Sequence, residues 1–237
     1  MKENNLQILK LLKELVRPFY NKFANKYATE LGYWKKNYLK EGKNFENSFY
    51  EKIFLNLTQE RDDQFLTNKV IADFGCGPRG SLKWIKSAPT KIGIDVLTDQ
   101  YLNLFGDNML THDMLYLKST ENIIPLPSSY VDVMFTLNAL DHVDNFPLMC
   151  HEIIRVIKKG GLFYGSFNLE EKATSAEPQQ LTEKIIHKYL LDKMEVLSYR
   201  ITNKGPQGDI FKPLYENKLH YDQGTEGILW VKATKIR

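Results

Sequence analysis

The sequence has few of the features that mark secreted, membrane-spanning or nucleic-acid-binding proteins. Its 237 residues contain two cysteines, Cys76 and Cys150, whose distant positions form neither a disulfide framework nor a metal-ligand spacing. We therefore expect a reducing cytoplasm and no metal. The sequence has no run of eighteen consecutive apolar residues, the length that could span a membrane. The stretch MKENNLQILKLLKELV is interrupted by charged residues and lacks the features of a signal peptide. The net charge is +3 with scattered lysines, so no nucleic-acid partner is expected.

An amino-terminal helical segment, residues 1–62, is predicted to precede the main domain, residues 63–237. Apolar residues between Leu6 and Val16 recur at helical spacing and indicate a first helix that ends near Pro18. The stretches NKFANKYATELGYWKKNYLKEG and NSFYEKIFLNL continue the helical pattern and are rich in aromatic residues. Packing against the main domain would account for most of these aromatic side chains.

From Val70 onward, strand-like runs alternate with helical ones. The pattern predicts strands at 70–74, 91–95, 109–115, 130–137, 162–169, 193–202 and 227–236. It predicts helices near 80–87, 98–104, 145–159 (closed by Gly160 and Gly161) and 178–191. This alternation indicates an α/β fold with a doubly wound, mainly parallel, seven-stranded sheet. In such sheets ligands bind beyond the carboxyl ends of the strands at the switch point, where the glycine-rich turn after the first strand lies.

That turn, within VIADFGCGPRG, has Gly75, Gly77 and Gly80 at the spacing of a dinucleotide-binding turn. Glycines there allow a tight turn and close approach of a ligand to the backbone. Asp73, at the end of the strand, would repel the two phosphates of a dinucleotide. S-adenosylmethionine has no phosphate, and its ammonium group can donate hydrogen bonds to this carboxylate. Pro78 removes one N–H that could hold a phosphate, so the turn favours S-adenosylmethionine.

The second predicted strand ends in IGIDV, which places Asp95 about twenty residues after the glycine turn. An acid at this position can bind both hydroxyls of an adenosine ribose. Dinucleotide sites and S-adenosylmethionine sites share this feature. Asp95 therefore indicates adenosine without choosing between the two cofactors.

Taken together, VIADFGCGPRG, IGIDV, HDM, PLPSSYVDVMFTLNALDHV and VIKKGGLFYGSF resemble a class I S-adenosylmethionine-dependent methyltransferase. The resemblance covers residues 65–170 well and the last strands more loosely. It implies the Rossmann-like methyltransferase fold. The stretch PLPSSYVDVMF departs from the family's Leu-Pro-Phe-x-Asp-x-x-Phe-Asp pattern, since Ser129 and Tyr130 replace part of its acidic portion. This departure precedes the strand and bears little on cofactor binding.

The same resemblance implies a set of cofactor contacts. It assigns Asp73, Gly75, Cys76 and Gly77 to the methionine moiety, Asp95 to the ribose, Asp113 and Met114 to the adenine, and Asn138 and Ala139 to the side of the sulfonium. Val96 is a further predicted cofactor contact. In this assignment Asp113 follows the third strand and accepts a hydrogen bond from the adenine amino group.

The loop after the fourth predicted strand, ALDHV, contains the candidate catalytic residues Asp141 and His142. Methyl transfer is an in-line displacement in which the enzyme mainly aligns the acceptor and excludes water. A hydroxyl acceptor also gains from a general base, and imidazole ordinarily titrates near neutrality, as that role requires. His142 is therefore either the base of the reaction or a structural residue that packs against or caps the next helix.

The sequence lacks the motifs of several classes of methyltransferase that act on other acceptors. The run from Asn138 to Asp141 replaces the Asn-Pro-Pro-Tyr tetrapeptide of base-amino methyltransferases, Cys150 follows methionine where cytosine-C5 enzymes have proline, and the paired-glutamate hairpin of arginine methyltransferases is missing. ELGYWKKNYLKEG and EPQQLTEKI resemble segments of methyltransferases from bacterial surface-polysaccharide and secondary metabolism. This likeness implies a small-molecule acceptor, namely a hydroxyl of a sugar- or phosphate-linked metabolite.

Tyr33 and Trp34 are the predicted substrate-binding residues, because aromatic helices that precede the core could close the face that holds the methyl group. Nearby lysines could contact an anionic substrate or form a solvated helix face: Lys35, Lys36, Lys40 and Lys43.

Two other functions stay open at this point. The spacing of Tyr189 and Lys193 matches the Tyr-x-x-x-Lys pair of short-chain dehydrogenases, which would suit an NAD(P)-linked reductase. A non-catalytic cofactor-binding module is the other alternative, because the catalytic base rests on His142 alone. The oligomeric state is not predicted.

Overall fold

A computed structural model describes residues 26–205 and 208–236 and contains a seven-stranded sheet. Its strands are β1 (Val70–Phe74), β2 (Thr90–Asp95), β3 (Leu115–Lys118), β4 (Val131–Leu137), β5 (Ile157–Leu169), β6 (Met194–Asn203) and β7 (Gly227–Lys235). Their spatial order is β3-β2-β1-β4-β5-β7-β6. β1 to β5 pair in parallel, and β7 runs antiparallel to β5 and β6. The predicted doubly wound, mainly parallel sheet is confirmed.

Helices cover both faces of this sheet. They are α1 (Lys26–Lys40), α2 (Phe49–Thr58), α3 (Thr98–Met109), α4 (Phe146–Val156), α5 (Glu183–Tyr189) and α6 (Lys212–Tyr215). Successive residues of β1 face opposite layers, since Ala72 packs in the core that includes α4 and α5 and Ile71 in the core that includes α2. Among the described residues, no helix is long and apolar enough to cross a bilayer.

The order of the strands reverses around β1, which lies between β2 and β4. A crevice forms beyond the carboxyl ends of the strands at such a switch point. Side chains fix the ends of the helices beside it. Asn145 accepts a hydrogen bond from the Leu148 N–H at 3.1 Å at the start of α4. Arg200 donates to the carbonyls of Asn56 and Leu57 at the end of α2, at 3.0 and 2.9 Å.

The amino-terminal helices join the core to different extents. α2 is anchored by fully buried side chains: Ile53, Phe54 and Leu57. α1 has no fully buried residue and packs on the aromatic face of α3 through Trp34 and Tyr38. The first predicted helix, which ends near Pro18, lies outside the described residues, and the predicted domain boundary near residue 62 stays a prediction.

The helix predicted near residues 80–87 is absent, and this prediction was wrong. The chain between β1 and β2 makes tight turns in which the Lys83 N–H donates to the Gly80 carbonyl at 3.0 Å and the Ile85 N–H to the Leu82 carbonyl at 3.2 Å. Gly80 has a φ of 81°, outside the helical region. The glycine-rich turn is therefore not followed by the helix N-terminus that holds a pyrophosphate in dinucleotide-binding folds.

The third strand also differs from the prediction, which placed it at 109–115. Tyr101, Phe105 and Met109 are buried at a spacing of four residues, although the helix is kinked at Phe105, which has a φ of −134° and a ψ of 15°. α3 extends to Met109, and a 3₁₀ turn follows before β3 begins at Leu115.

Two helices, α4 and α5, are shorter than predicted. α4 ends before the expected 145–159 limit because β5 already begins at Ile157, and Gly160, with a φ of 75°, lies inside that strand. α5 begins later than the expected 178–191 because the Thr182 side chain caps it by accepting from the Ile185 N–H at 3.2 Å.

Candidate active site

A cavity of about 450 Å³ opens beyond the carboxyl ends of β1, β2 and β4. α1 and α2 cover one side of it, and loops after β3, β4, β5 and β6 complete its walls. Its volume suits a small organic ligand. Most residues predicted from the sequence line it: Tyr33, Trp34, Asp73, Gly75, Cys76, Asp95, Val96, Asn138, Ala139 and His142. The other predicted residues are not part of its wall: Gly77, Asp113, Met114 and Asp141.

The glycine-rich turn after β1 needs glycine for two close approaches. Gly75 has a φ of 74°, and a Cβ there would lie 2.2 Å from the Cβ of Ala139. Gly77 has a φ of 56°, and a Cβ there would lie 2.8 Å from Cζ2 of Trp34. A side chain at either position would strain the backbone and displace a neighbour. The turn thus brings β1, the loop after β4 and α1 together around the cavity.

Asp73, at the end of β1, has one carboxylate oxygen without a donor. The residue is only 3% exposed. Its Oδ2 accepts a hydrogen bond from the Ser81 hydroxyl, and its Oδ1 has no hydrogen-bond partner among the described residues. Burial raises the pKa of Asp73 to about 7; the Ser81 hydrogen bond opposes this rise and the charge of Asp95 adds to it. A positively charged donor is the group that would satisfy this carboxylate.

Asp95, at the end of β2, is fixed by the backbone around it. Its Oδ2 accepts from the Gly77 N–H at 3.0 Å, and its Oδ1 accepts from the Leu97 N–H at 2.9 Å. Burial raises the pKa of Asp95 to about 6, against the lowering effect of these two hydrogen bonds. Each carboxylate oxygen can accept a second hydrogen bond, so Asp95 keeps the capacity to bind two hydroxyl groups.

The predicted adenine contacts, Asp113 and Met114, precede β3 and lie outside the cavity wall. Asp113 Oδ2 pairs with the buried Lys91 Nζ at 2.9 Å, and the Asp113 side chain is 91% exposed. The prediction placed both residues after the third strand, which was wrong because that strand begins later. The residues that follow β3 and line the cavity are Ser119, Thr120 and Glu121.

Asn138 and Ala139 follow β4 in a fixed conformation. Asn138 has a φ of 46°, and its N–H donates to the Ser166 carbonyl at 3.1 Å. The Ser166 hydroxyl donates in turn to Asn138 Oδ1 at 2.8 Å. Because β5 thus holds Asn138, Ala139 is kept against Gly75 at the floor of the cavity.

His142 and Asp141 lie in the same loop but at different depths. His142 lines the cavity, and its side chain is 36% exposed, whereas the side chain of Asp141 is 5% exposed. Asp141 Oδ2 accepts from Asn168 Nδ2 at 3.1 Å. Burial raises the pKa of Asp141; a charged His142 opposes the rise and Glu177 adds to it. Asp141 therefore lies behind His142 and does not face the cavity.

Arg79, which was not among the predicted site residues, joins the glycine-rich turn to the amino-terminal segment. Its guanidinium donates to both carboxylate oxygens of Glu41 at 2.8 Å and to the Glu46 carbonyl at 2.7 Å. It also lies 5.6 Å from the ring centre of Trp34 and 5.5 Å from that of Phe49. These contacts hold α1 and α2 over the cavity.

Lys26 fixes the beginning of α1 at the opposite side of the cavity. Its Nζ pairs with Glu121 and with Asp144, both at 2.7 Å, and donates to the His142 carbonyl at 3.1 Å. The Tyr27 hydroxyl also donates to Glu121. α1 therefore bridges the loops that follow β3 and β4.

Tyr33 and Trp34 extend from α1 to the cavity, and their role as substrate contacts stays a prediction. Tyr33 is 56% exposed, and Trp34 Nε1 donates to Glu30 at 2.6 Å. Several apolar wall residues were not predicted, and they include Tyr50, Ile210 and Phe211. Phe211 comes from the long connection between β6 and β7, for which the sequence shows no motif.

The comparisons agree with this geometry. Residues 72–165 match the family model of a methyltransferase domain. The chain carries a class I S-adenosylmethionine-dependent methyltransferase domain. The matched residues run from β1 into β5 and therefore include the glycine-rich turn, Asp95 and the loop of His142. A comparison with curated proteins gives no significant match.

Solved structures resemble this methyltransferase over most of its length. A methyltransferase in complex with the Haloferax volcanii Trm112 methyltransferase activator has a TM-score of 0.62 at 14% identity, with 90% of this chain and 98% of that chain covered. The [4+2]-cyclase SpnF has a TM-score of 0.63 at 16% identity and coverages of 88% and 94%. An S-adenosylmethionine-dependent methyltransferase from Mesorhizobium loti has a TM-score of 0.55 at 13% identity, with 76% of this chain and 95% of that chain covered. At these identities the likeness shows the fold.

The cavity of this methyltransferase fits S-adenosylmethionine. The buried Oδ1 of Asp73 lacks a donor, and the ammonium group of the cofactor is a donor of the required charge. Asp95 keeps free acceptor capacity for the ribose hydroxyls. Gly75 is held against Ala139 at the wall of this cavity, where any side chain at position 75 would collide with Ala139.

Proposed function

We propose that this chain transfers a methyl group from S-adenosylmethionine to a hydroxyl of a small-molecule acceptor. One observation carries the proposal, namely that the cavity lined by Asp73 and Asp95 is also lined by the imidazole of His142. Cofactor-binding carboxylates and a candidate base therefore share one volume that can also admit an acceptor.

Each part of the wall has a role in the proposal. When bound, the sulfonium supplies the methyl group as an electrophile. Asp73 binds the ammonium group of the cofactor and Asp95 binds its ribose hydroxyls, by charge and hydrogen bonding. His142 takes the proton of the acceptor hydroxyl. Tyr33, Trp34 and the other aromatic residues of the wall exclude water and orient the acceptor.

The acceptor that we propose is sugar-linked, with a phosphate-linked metabolite as the second choice. Four lysines that could contact an anion are exposed and outside the cavity wall: Lys35, Lys36, Lys40 and Lys43. One lysine and one arginine line the wall, and both already have ion-pair partners. Lys26 pairs with two carboxylates and Arg79 pairs with Glu41. These pairs favour an acceptor without a phosphate.

A role in bacterial surface-polysaccharide synthesis in the cytoplasm completes the proposal. It is supported by the resemblance of the segments around Trp34 and Glu177 and by the two cysteines, which are buried and unpaired. The reductase alternative loses support, because Tyr189 ends α5 and Lys193 lies in a following 3₁₀ turn, and neither residue lines the cavity.

Methyl transfer can be tested before the acceptor is identified. Fractionated metabolites from a bacterium that makes surface polysaccharide would be incubated with the protein and S-adenosylmethionine, and S-adenosylhomocysteine would be quantified. We expect at least one fraction to give turnover, which His142→Ala would lower. A protein that binds the cofactor but gives no product with any fraction would support the non-catalytic module.

A further inference from the structure

The loop between β5 and α5, residues 170–182, is held against the loop of His142 by one glutamine. The Gln179 N–H donates to the Asp141 carbonyl at 3.2 Å. The Gln179 side-chain Nε2 donates to the carbonyls of Val143 and Asp144, at 2.9 and 3.2 Å. Three hydrogen bonds from a single residue therefore fix the position of this loop relative to His142.

Glu177, two residues before Gln179, reaches the imidazole from this loop. Its Oε1 lies 3.7 Å from His142 Nε2, and Asp141 Oδ1 lies 3.8 Å from the same nitrogen. Thr174 holds the backbone of Glu177 through its hydroxyl, which accepts from the Glu177 N–H at 3.0 Å. Asp141 Oδ1 has no hydrogen-bond partner among the described residues. The same ring nitrogen, Nε2, is therefore close to two carboxylate oxygens.

This arrangement favours one tautomer of the imidazole. A lone pair on Nε2 would be repelled by both carboxylates, whereas an N–H there is attracted by both and can donate to either after a small rotation of the ring. The two ring nitrogens point in divergent directions, so Nδ1 is directed away from the carboxylates and keeps its lone pair.

We propose that Glu177 is a positioning residue that, together with Asp141, keeps the proton of His142 on Nε2 and leaves Nδ1 as the base. The proposal rests on the proposed function of His142. The acceptor oxygen forms its bond to the methyl carbon while the carbon–sulfur bond breaks and leaves its electron pair on sulfur. The hydroxyl proton goes to Nδ1 and then to solvent. The carboxylates of Glu177 and Asp141 stabilise the imidazolium that forms.

The charges around His142 come from several elements. Glu177 and Asp141 face Nε2, Lys26 of α1 donates to the His142 carbonyl at 3.1 Å, and Asp95 of β2 interacts electrostatically with the ring. Of these groups Glu177 offers the most direct test, because its side chain is 35% exposed and can be changed without emptying the core.

The test is a ¹⁵N NMR titration of the histidine side chains in the full-length chain, with and without S-adenosylhomocysteine. The signals of His142 would be assigned by their loss in His142→Gln. We expect a protonated Nε2 and an unprotonated Nδ1 in the neutral ring. Glu177→Gln should shift the neutral ring toward the tautomer with its proton on Nδ1, because one of the two charges that attract the Nε2 proton is lost.

Glu171→Gln is the matched control, since it removes the same charge from the same loop at a residue that pairs with Lys204. In Glu171→Gln the tautomer of the His142 ring should equal that of the wild type. A wild-type neutral ring with its proton on Nδ1, a tautomer ratio unchanged by Glu177→Gln, or an equal shift in Glu171→Gln would overturn the proposal. Binding of S-adenosylhomocysteine in the same samples tests the proposed function separately, because the tautomer can be read in the free protein.

Discussion

The buried carboxyl of Asp73 lowers the stability of the folded protein, and the same carboxyl is proposed to bind the cofactor. The variant Asp73→Asn should therefore change the free energy of unfolding and the cofactor affinity in opposite directions. The carboxyl ordinarily has a pKa of 3.8, and burial raises it to about 7. Between these values the folded state keeps the proton and the unfolded state releases it. The folded state then binds more protons, so stability falls as pH rises through this range.

The magnitude follows from the two pKa values of Asp73. Each pKa unit corresponds to about 1.4 kcal/mol, so the change from 3.8 to about 7 costs at most about 4 kcal/mol at pH 8. Asparagine removes this cost and keeps an acceptor for the Ser81 hydroxyl. Its amide leaves a donor unpaired, at about 1–3 kcal/mol. We expect the free variant to be more stable than the wild type by about 1–3 kcal/mol at pH 8 and no more stable at pH 4.

Denaturant unfolding at pH 8 and pH 4 measures this difference, and calorimetry measures binding of S-adenosylhomocysteine. Affinity of the wild type should fall about tenfold from pH 8 to pH 6, as the Asp73 carboxylate takes up its proton. Asp73→Asn should bind about 10–100-fold more weakly, with a smaller dependence on pH. Asp132→Asn is the control of opposite sign, because Lys158 and the Val70 N–H lower the pKa of that carboxyl against burial. If Asp73→Asn is destabilised at pH 8 as much as Asp132→Asn, the reasoning is wrong.

Three further changes test other parts of the site. Asp95→Ala should weaken binding of S-adenosylhomocysteine by about 1.5–3 kcal/mol in calorimetry, and unchanged affinity in a folded variant would refute the ribose assignment. His142→Ala should lower kcat by about 10²–10⁴-fold with little change in cofactor affinity, and near-normal turnover in it and in His142→Asn would make the residue structural. Deletion of residues 1–45 removes Trp34 and the carboxylate partner of Arg79, so transfer should cease while the core binds cofactor weakly. Full activity of the truncated chain would refute the role of α1.

The sheet could be predicted because its central strands are mostly apolar runs bounded by turns, as Val70–Phe74 and Val131–Leu137 show. The prediction of a helix after Gly80 was wrong because a residue distant in sequence determines the conformation of this segment. The Asp63 carboxylate accepts from the N–H groups of Lys86 and Ser87, at 2.6 and 2.8 Å, which holds the connection in turns. No local pattern encodes a contact between residues more than twenty positions apart.

Some residues of the candidate site could likewise be predicted from the sequence and others could not. Asp73, Asp95 and His142 could be predicted because each ends or follows a strand whose carboxyl end meets the others at one edge of the sheet. Arg79 and Glu177 could not, since their partners Glu41 and His142 lie more than thirty positions away in sequence. Position along the chain shows which residues can reach the cavity edge, but contacts between loops depend on the folded path.

Calorimetric titration of the full-length chain with S-adenosylhomocysteine, NADH and NADPH tests the central claim most directly. We predict that S-adenosylhomocysteine binds in the micromolar range or tighter and that neither dinucleotide binds, because Asp73 opposes phosphates and no helix N-terminus follows the glycine-rich turn. Binding of NADH or NADPH without binding of S-adenosylhomocysteine would contradict the account.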